Sequence, residues 1–474
     1  MKWAAQTLVE MSAVDAVAGM RGGSMSAEQY ALALLDQCER RQALNAFITL
    51  DREQVLAAAR AADARWKSGA KLGPLHGLPI PIKDSINTKD LPTTAGTPAL
   101  RDFRPKEDAP IVRLLRDAGA ILLGKTNLHE LSMGWTSDNQ AFGAVHNPYD
   151  QARIPGGSSG GTAAAVAARM APLGLAEDTE GSIRVPAALC GIAGFRPTTF
   201  RYPSSGTAPI SPLLDQVGPC ARTVGDLALF DEVASGNSDA IFAMPLKGIK
   251  LGVGLEYWFA GLDAEVERVT DAALRKLQDA GVELVEVEVD ELADLIERTT
   301  WPIEAHDILR ALPEYLRDSG ARVTFDEVLA LASPDVKALF ALFEAGSSGF
   351  VTEEMYAGAV ETYLPRLRGN FRDCFARTGV AAMVFPVTMT PATLIGEDEV
   401  TIGNNKVSFL TAISRNIAPG STAGLPGLVL PAGLTKSGLP ASLEFDGLPG
   451  EDRALLALGL SLESVLGRVP GPKT

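Results

Sequence analysis

The sequence predicts an α/β fold with a helical insertion, and three observations predict it. The chain has 474 residues, beyond the size at which single cores usually stop growing, so a large α/β unit with an appended region is expected. Between 73 and 240, short apolar runs alternate with helical stretches, as strands and helices do in an α/β sheet. From 300 to 378 nearly every segment has helical periodicity.

The elements follow in order. Residues 12–66 read as helices: apolar residues recur at helical spacing through Tyr30, Leu32, Leu34 and Leu35, and alanine-rich helix formers fill 55–64. Ser26 with Gln29 three residues on has the pattern of a capping box. The runs Leu78-Pro79-Ile80-Pro81-Ile82 and Ala120-Ile121-Leu122-Leu123 read as strands in a stretch dense in glycine and proline, where turns over a rigid sheet tend to carry sites. Ile249–Val253 and Val282–Val287 read as strands around an amphipathic helix at 263–279. Trp301, Tyr315, Phe340, Phe343, Tyr356 and Tyr363 are spread along 300–378, either as core aromatics or as part of a lid over a pocket. Strand signals return at 381–387, 427–431 and 441–445, and a last helix covers 451–466. The expected organisation is a helical segment at 1–70, a core at 71–240, a variable and mostly helical substrate-shaping region at 241–400, and a return to the core at 401–474, all within one domain.

Composition narrows the function. With 43 basic and 58 acidic residues the net charge is −15, which disfavours nucleic acid and anionic membrane surfaces as partners. Hydrophobic residues at 46% and charged residues at 21% are ordinary for a globular protein. Cys38, Cys190, Cys220 and Cys374 are widely spaced, with no CxxC pair and no zinc pattern. Cys190, in the run Ala187-Ala188-Leu189-Cys190, reads as a packed small hydrophobe. No run of about 18 apolar residues free of charge occurs, and after Met1-Lys2 the chain meets Glu10 and Asp15 before any long apolar stretch. A cytoplasmic location is expected.

Three pieces carry chemistry: Pro81-Ile82-Lys83-Asp84, Gly156-Gly157-Ser158-Ser159-Gly160-Gly161, and Asp178-Thr179-Glu180-Gly181-Ser182-Ile183-Arg184-Val185-Pro186. Alone, the glycine–serine run reads either as a flexible linker or, because an apolar helix-forming stretch follows Thr162, as a loop whose N–H groups face a ligand at a helix start. Lys83 either snorkels to the surface or is buried with a depressed pKa and acts as a base. Of His76, His129, His146 and His306, none accompanies a GxSxG elbow, so each reads as structural.

In this order and spacing (75 residues from Lys83 to Ser158, 24 from Ser158 to Ser182) the three pieces resemble the amidase signature family. Leu75-His76-Gly77-Leu78-Pro79, Leu91-Pro92-Thr93-Thr94-Ala95-Gly96, Gly124-Lys125-Thr126-Asn127, Gly424-Leu425-Pro426-Gly427, Pro431-Ala432-Gly433-Leu434 and Gly450-Glu451-Asp452 extend the likeness over most of the chain. The resemblance implies a large mixed, mostly parallel twisted sheet covered by helices on both faces. It implies Ser182 as nucleophile, Ser158 as a bridging serine after a cis bond from Gly157, and Lys83, neutral at rest, as base. The oxyanion hole would be backbone N–H groups of Thr179, Glu180, Gly181 and Ser182, with Gly157, Ser159, Asp178 and Arg184 supporting the loops. No metal or organic cofactor is implied, and a homodimer is compatible with the likeness.

The stretch from Asn127 to Ser137 with Asn139, and Cys190–Thr198 followed by Arg201-Tyr202-Pro203, have the look of the indoleacetamide and mandelamide hydrolases. They imply a small-molecule amide with an aromatic or apolar acyl group, contacted by Leu131, Ser132, Met133 and Trp135. Carbamate or anilide hydrolysis, the amidase subunit of a glutamine amidotransferase, and a non-catalytic amidase-like partner subunit stand as alternatives. Two departures from the family pattern stand out. Glu180 occupies a usual glycine position and is expected to pair with a cation such as Arg184 or to face outward. Ala176-Glu177 replaces a usual Gly-Thr and is expected to alter only loop packing. Lys83 is expected to have no paired carboxylate, with Asp84 facing elsewhere.

Overall fold

The computed structural model describes residues 5–473; Met1-Lys2, which entered the reading of the N-terminus, lies outside them. Its strands in chain order are β1 (Phe47–Thr49), β2 (Pro79–Lys83), β3 (Ile121–Thr126), β4 (Leu173–Asp178), β5 (Ala193–Arg196), β6 (Gln216–Ala221), β7 (Lys250–Val253), β8 (Glu283–Glu286), β9 (Ala382–Pro386), β10 (Glu399–Ile402), β11 (Asn405–Ser408), β12 (Gly427–Leu434) and β13 (Pro440–Asp446). Eleven of them form one sheet in the order β1-β3-β2-β4-β6-β5-β12-β13-β9-β7-β8, and β10 and β11 form a separate hairpin.

The sheet is mixed, as expected, but its parallel pairs are confined to two places. β2 lies parallel to β3 and β4, and β7 parallel to β8 and β9. The centre, from β4 through β6, β5, β12 and β13 to β9, is antiparallel throughout. This corrects the expectation of a mostly parallel sheet. Antiparallel neighbours can be joined by direct returns, and the β12–β13 return is one of these.

Helices cover both faces, and the alternation along single strands shows it. Leu428 and Leu430 of β12 pack in one core with Leu455 and Leu462 of the helix Asp452–Leu466. Val429 between them packs in another core with Ile183, Val185 and Ala187. The predicted helices are present at Ala27–Arg40, Arg52–Lys67, Ala264–Asp279 and Asp452–Leu466. Ser26 Oγ accepts the Gln29 N–H at 3.0 Å, the N-cap half of the expected box. Leu32, by contrast, faces outward.

The helical insertion is built on the 28-residue helix Leu292–Ser319, which contains Pro302 and Pro313. Ala305, Ile308, Leu312 and Tyr315 of this helix share a core with Val336, Phe340 and Phe343. That core also takes in Leu131 and Ile210 from the sheet side, so the insertion is packed directly over the strand ends that carry the site. Among the described residues no helix is long and apolar enough to cross a membrane.

Candidate active site

Lys83 is the last residue of β2, a strand buried along its whole length, and its side chain is wholly removed from solvent. Its Nζ lies 2.6 Å from Ser158 Oγ. Ser158 Oγ in turn lies 2.9 Å from Ser182 Oγ, within hydrogen-bond reach. Three side chains separated by up to 99 positions in sequence thus form one hydrogen-bonded line, and Ser182, at its end, borders a cavity of ≈ 320 Å³.

The glycine loop places Ser158 because nothing larger fits. The Gly157–Ser158 peptide is cis. A Cβ on Gly157 would lie 2.7 Å from the Trp135 carbonyl carbon and 2.9 Å from the Gly134 oxygen, closer than side-chain carbons approach backbone. Ser137 Oγ donates to the Gly156 carbonyl at 2.9 Å and accepts the Gly160 N–H at 3.0 Å, pinning the loop as it enters the helix Gly160–Ala167. Ser159 Oγ donates to the Glu177 carbonyl at 3.0 Å. The loop is therefore a built part of the interior and not a linker.

The nucleophile turn is held from its base. Asp178, ending β4, accepts the N–H groups of Gly181 at 2.7 Å and Ile183 at 3.0 Å. Burial pushes its carboxyl up, but the Arg184 and Arg196 guanidinium groups and these hydrogen bonds outweigh burial and hold it at about 2. Gly181 has φ +95°, a conformation that favours glycine. Its N–H is committed to Asp178, so the expected oxyanion set narrows to Thr179, Glu180 and Ser182.

Of the residues expected to contact the acyl group, Ser132, Met133 and Trp135 border the cavity, together with Gly134. Leu131 is a correction: it is buried in the insertion core and does not border the cavity. Trp135 Nε1 donates to the Glu180 carbonyl at 2.8 Å. The far wall comes from the insertion, through Thr300, Trp301, Glu304, Ala305, Leu339 and Phe343. Of the six aromatics noted in the sequence, Trp301 and Phe343 thus face the cavity, while Phe340 and Tyr315 serve the core. Ile210, Leu410 and Ser414 also border it, and no motif marks them in the sequence.

Three charged residues depart from expectation or confirm it. Glu180 neither pairs with Arg184 nor faces outward. Arg184 is occupied by Asp178 and by Glu444 Oε1 at 2.6 Å, while Glu180 borders the cavity and bonds Ser414. Burial, only partly offset by Arg184, raises the Glu180 carboxyl to about 8, so it is protonated at neutral pH. Across the cavity, burial and then the charge of Glu180 push the Glu304 carboxyl well up.

Glu177 is a further correction. Its Oε1 lies 2.7 Å from Lys83 Nζ, both side chains being buried, so Lys83 does have a carboxylate partner. Asp84 faces away from Lys83, as expected, and instead pairs with buried Lys125 at 3.0 Å. Burial pushes the Lys83 ammonium below the ordinary lysine range; Glu177, Asp178 and Asp215 oppose that shift without cancelling it. Cys190 is packed in an apolar core, and burial pushes its thiol well up.

Comparison with known proteins fits this geometry. The family described as Amidase matches residues 29–456. Indoleacetamide hydrolase of Agrobacterium vitis is 39% identical, covering 91% of this chain and 92% of that protein. Mandelamide hydrolase of Pseudomonas putida is 37% identical, over 98% and 93%. Among solved structures, an amidase superposes with a TM-score of 0.86 at 32% identity, covering 96% of this chain and 100% of the other. The peptide amidase of Stenotrophomonas maltophilia superposes with a TM-score of 0.79 at 27% identity, covering 98% of each chain.

Proposed function

The chain belongs to the amidase family and is an enzyme that hydrolyses amide C–N bonds; from that premise we propose that its substrate is an aromatic or apolar small-molecule amide and that the reaction runs through an acyl-enzyme on Ser182. The single observation that carries this reading is the line Lys83–Ser158–Ser182, with links of 2.6 and 2.9 Å, ending at a largely apolar cavity.

In the proposed reaction Ser182 Oγ attacks the carbonyl carbon. Its proton passes to Ser158 as the Ser158 proton passes to neutral Lys83. The carbonyl oxygen takes up negative charge against the N–H groups of Thr179, Glu180 and Ser182. Preorganised donors of this kind are worth roughly 3 kcal/mol each in acyl transfer. The proton then returns through Ser158 to the nitrogen as the C–N bond breaks and the amine leaves. Water repeats the sequence on the ester, freeing the acid and restoring Ser182.

Trp301, Phe343, Met133 and Trp135 around the cavity favour an aromatic acyl group over the polar side chain of glutamine. A protonated Glu180 at the pocket wall adds a hydrogen-bond donor without adding charge beside the developing oxyanion. The test is kcat/KM of the purified chain, alone, on aryl amides, anilides, carbamates and glutamine, with a fluorophosphonate to label Ser182. A preference for aryl amides with labelling confined to Ser182 is expected. Activity on glutamine alone, or labelling elsewhere, would overturn the reading.

A further inference from the structure

Glu177 touches the proposed base and belongs to none of the three motif pieces. Its Oε1 receives two hydrogen bonds: one from Lys83 Nζ at 2.7 Å and one from Ser132 Oγ at 2.6 Å. Ser132 borders the cavity. One carboxylate oxygen thus joins the base of the relay to a hydroxyl on the substrate wall. We propose that Glu177 is a positioning residue that fixes Lys83 against Ser158 and balances the positive charge Lys83 acquires during attack.

The inference rests on the reading of Lys83, Ser158 and Ser182 as the proton relay. In that relay Ser182 Oγ forms a bond to the carbonyl carbon, its proton moves to Ser158, and the Ser158 proton moves to Lys83 Nζ. Lys83 becomes an ammonium ion wholly removed from bulk solvent. A buried ammonium without a partner is costly, and Glu177 supplies the partner. Glu177 neither gains nor loses a proton. When the C–N bond breaks, the same proton returns through Ser158 to the leaving nitrogen and Lys83 is neutral again.

The other groups facing Lys83 are committed elsewhere. On β4, Asp178 is held by Arg184 and Arg196. Before β6, Asp215 accepts Thr179 Oγ1 at 2.6 Å and the N–H groups of Ile210 and Ser211. On β6, burial raises the Cys220 thiol to about 12. Just after β2, Asp84 faces away from Lys83 and pairs with Lys125. Glu177 is the carboxylate bonded to Lys83 among the described residues.

The same carboxylate also makes Lys83 harder to deprotonate in the resting enzyme. Removing its charge therefore has two opposed effects. The acid limb of kcat/KM moves to lower pH, because neutral Lys83 is then present at lower pH. The plateau falls, because the ammonium formed during attack is less stable.

The experiment is the pH profile of kcat/KM and of fluorophosphonate acylation for Glu177→Gln and Glu177→Asp. The expected result for Glu177→Gln is an acid limb displaced downward by about one to two pH units, the size of a close charge partner's effect, with a lower plateau and little change in KM. Glu177→Asp, which keeps the charge, is expected to restore the limb toward the wild-type position. An unmoved limb in folded Glu177→Gln overturns the proposal. Should that variant not fold, Ser132→Ala is read instead. Taking one donor from Oε1 strengthens its hold on Lys83, so the limb is expected to rise, and an unmoved limb overturns the proposal equally. Lys83→Ala separates the two levels. If that variant still acylates Ser182 at the wild-type rate, the relay reading itself fails; if it is inert while the limb in Glu177→Gln stays put, only the role of Glu177 fails.

Discussion

Arg184 and Asp178 are joined twice beneath the nucleophile turn, Nε to Oδ2 and Nη2 to Oδ1, both at 3.1 Å. Asp178 closes β4 and Arg184 opens the helix Arg184–Leu189. The pair therefore clamps the two ends of the turn that carries Ser182. Arg184 also reaches Glu444 of β13 at 2.6 Å, which ties the turn to the antiparallel centre of the sheet.

Arg184→Met is expected to destabilise the protein severely. It would leave Asp178 and Glu444 buried with their shared cation gone, and breaking a buried pair from one side costs about 3–5 kcal/mol. Urea unfolding at pH 7 measures this; a loss under 1 kcal/mol would contradict the role given to the clamp. The pH dependence has a definite sign. Asp178 is held at about 2 in the folded state, below its unfolded value of about 3.9. Its contribution is complete above about pH 4 and is lost as pH falls through about 2.

The proposed triad makes a graded prediction. Ser182→Ala is expected to abolish turnover with the fold intact, since it removes the atom that bonds to the acyl group. Ser158→Ala and Lys83→Ala are each expected to lose several orders of magnitude in kcat, about 10³-fold or more by analogy with other hydrolytic relays. Full activity in Lys83→Ala at neutral pH would contradict the assignment, and circular dichroism would show whether the fold survives.

Which parts of this were legible beforehand follows from distance along the chain. Lys83, Ser158 and Ser182 lie in motifs with fixed order and spacing, so the likeness to a family carried them. Caps are local, and Ser26 was readable for that reason. Glu177 was not: it meets Lys83 because β2 and β4 are parallel neighbours, with Ile82 opposite Leu175. Nothing near Glu177 in sequence announces that pairing. The same non-local choice decides the antiparallel centre of the sheet. Leu131 departs from its expected place for a local reason. It and Ser132 have φ of +53° and +61°, so the turn swings Leu131 into the insertion core and leaves Ser132 on the cavity. Glu180 failed as an expectation because Arg184, its nearest cation in sequence, is claimed by Asp178 and Glu444.

Glu180 carries a pH prediction. Its carboxyl is raised to about 8 in the folded protein, against about 4.3 unfolded. The folded state therefore binds the proton more tightly, and stability declines as pH rises from about 4 to about 8, then levels. Glu180→Gln is expected to flatten that part of the stability profile. In catalysis, ionisation of Glu180 near pH 8 places a negative charge on the wall of an apolar cavity. KM for an apolar amide is expected to rise above pH 8 in the wild type and to stay level in Glu180→Gln. Identical KM profiles for the two proteins would show that Glu180 does not meet the substrate.

Trp301 tests the aromatic wall. Its ring borders the cavity, packs 5.3 Å from Phe343 between centroids, and is fixed by an Nε1 hydrogen bond to the Gly349 carbonyl at 2.9 Å. A Cβ on Gly349 would stand 2.8 Å from that ring, so the contact is tight and the indole has one place to lie. Such a surface stabilises a flat acyl group by burying it, and burying an aromatic side chain is worth about 1.5–3 kcal/mol. Trp301→Ala should therefore raise KM for an aryl amide by roughly 10- to 100-fold. It should leave a small aliphatic amide within about twofold, because such a substrate cannot span the cavity to reach the ring. The Ser182 relay is untouched by the change, so the rate of fluorophosphonate acylation by a small probe serves as the internal control. If the aryl and aliphatic amides lose the same factor while small-probe acylation is unchanged, the ring does not select the acyl group, and the aromatic substrate class is wrong. If acylation falls by that factor as well, Trp301 supports the catalytic turn instead of the wall, and the far side of the cavity does not set specificity.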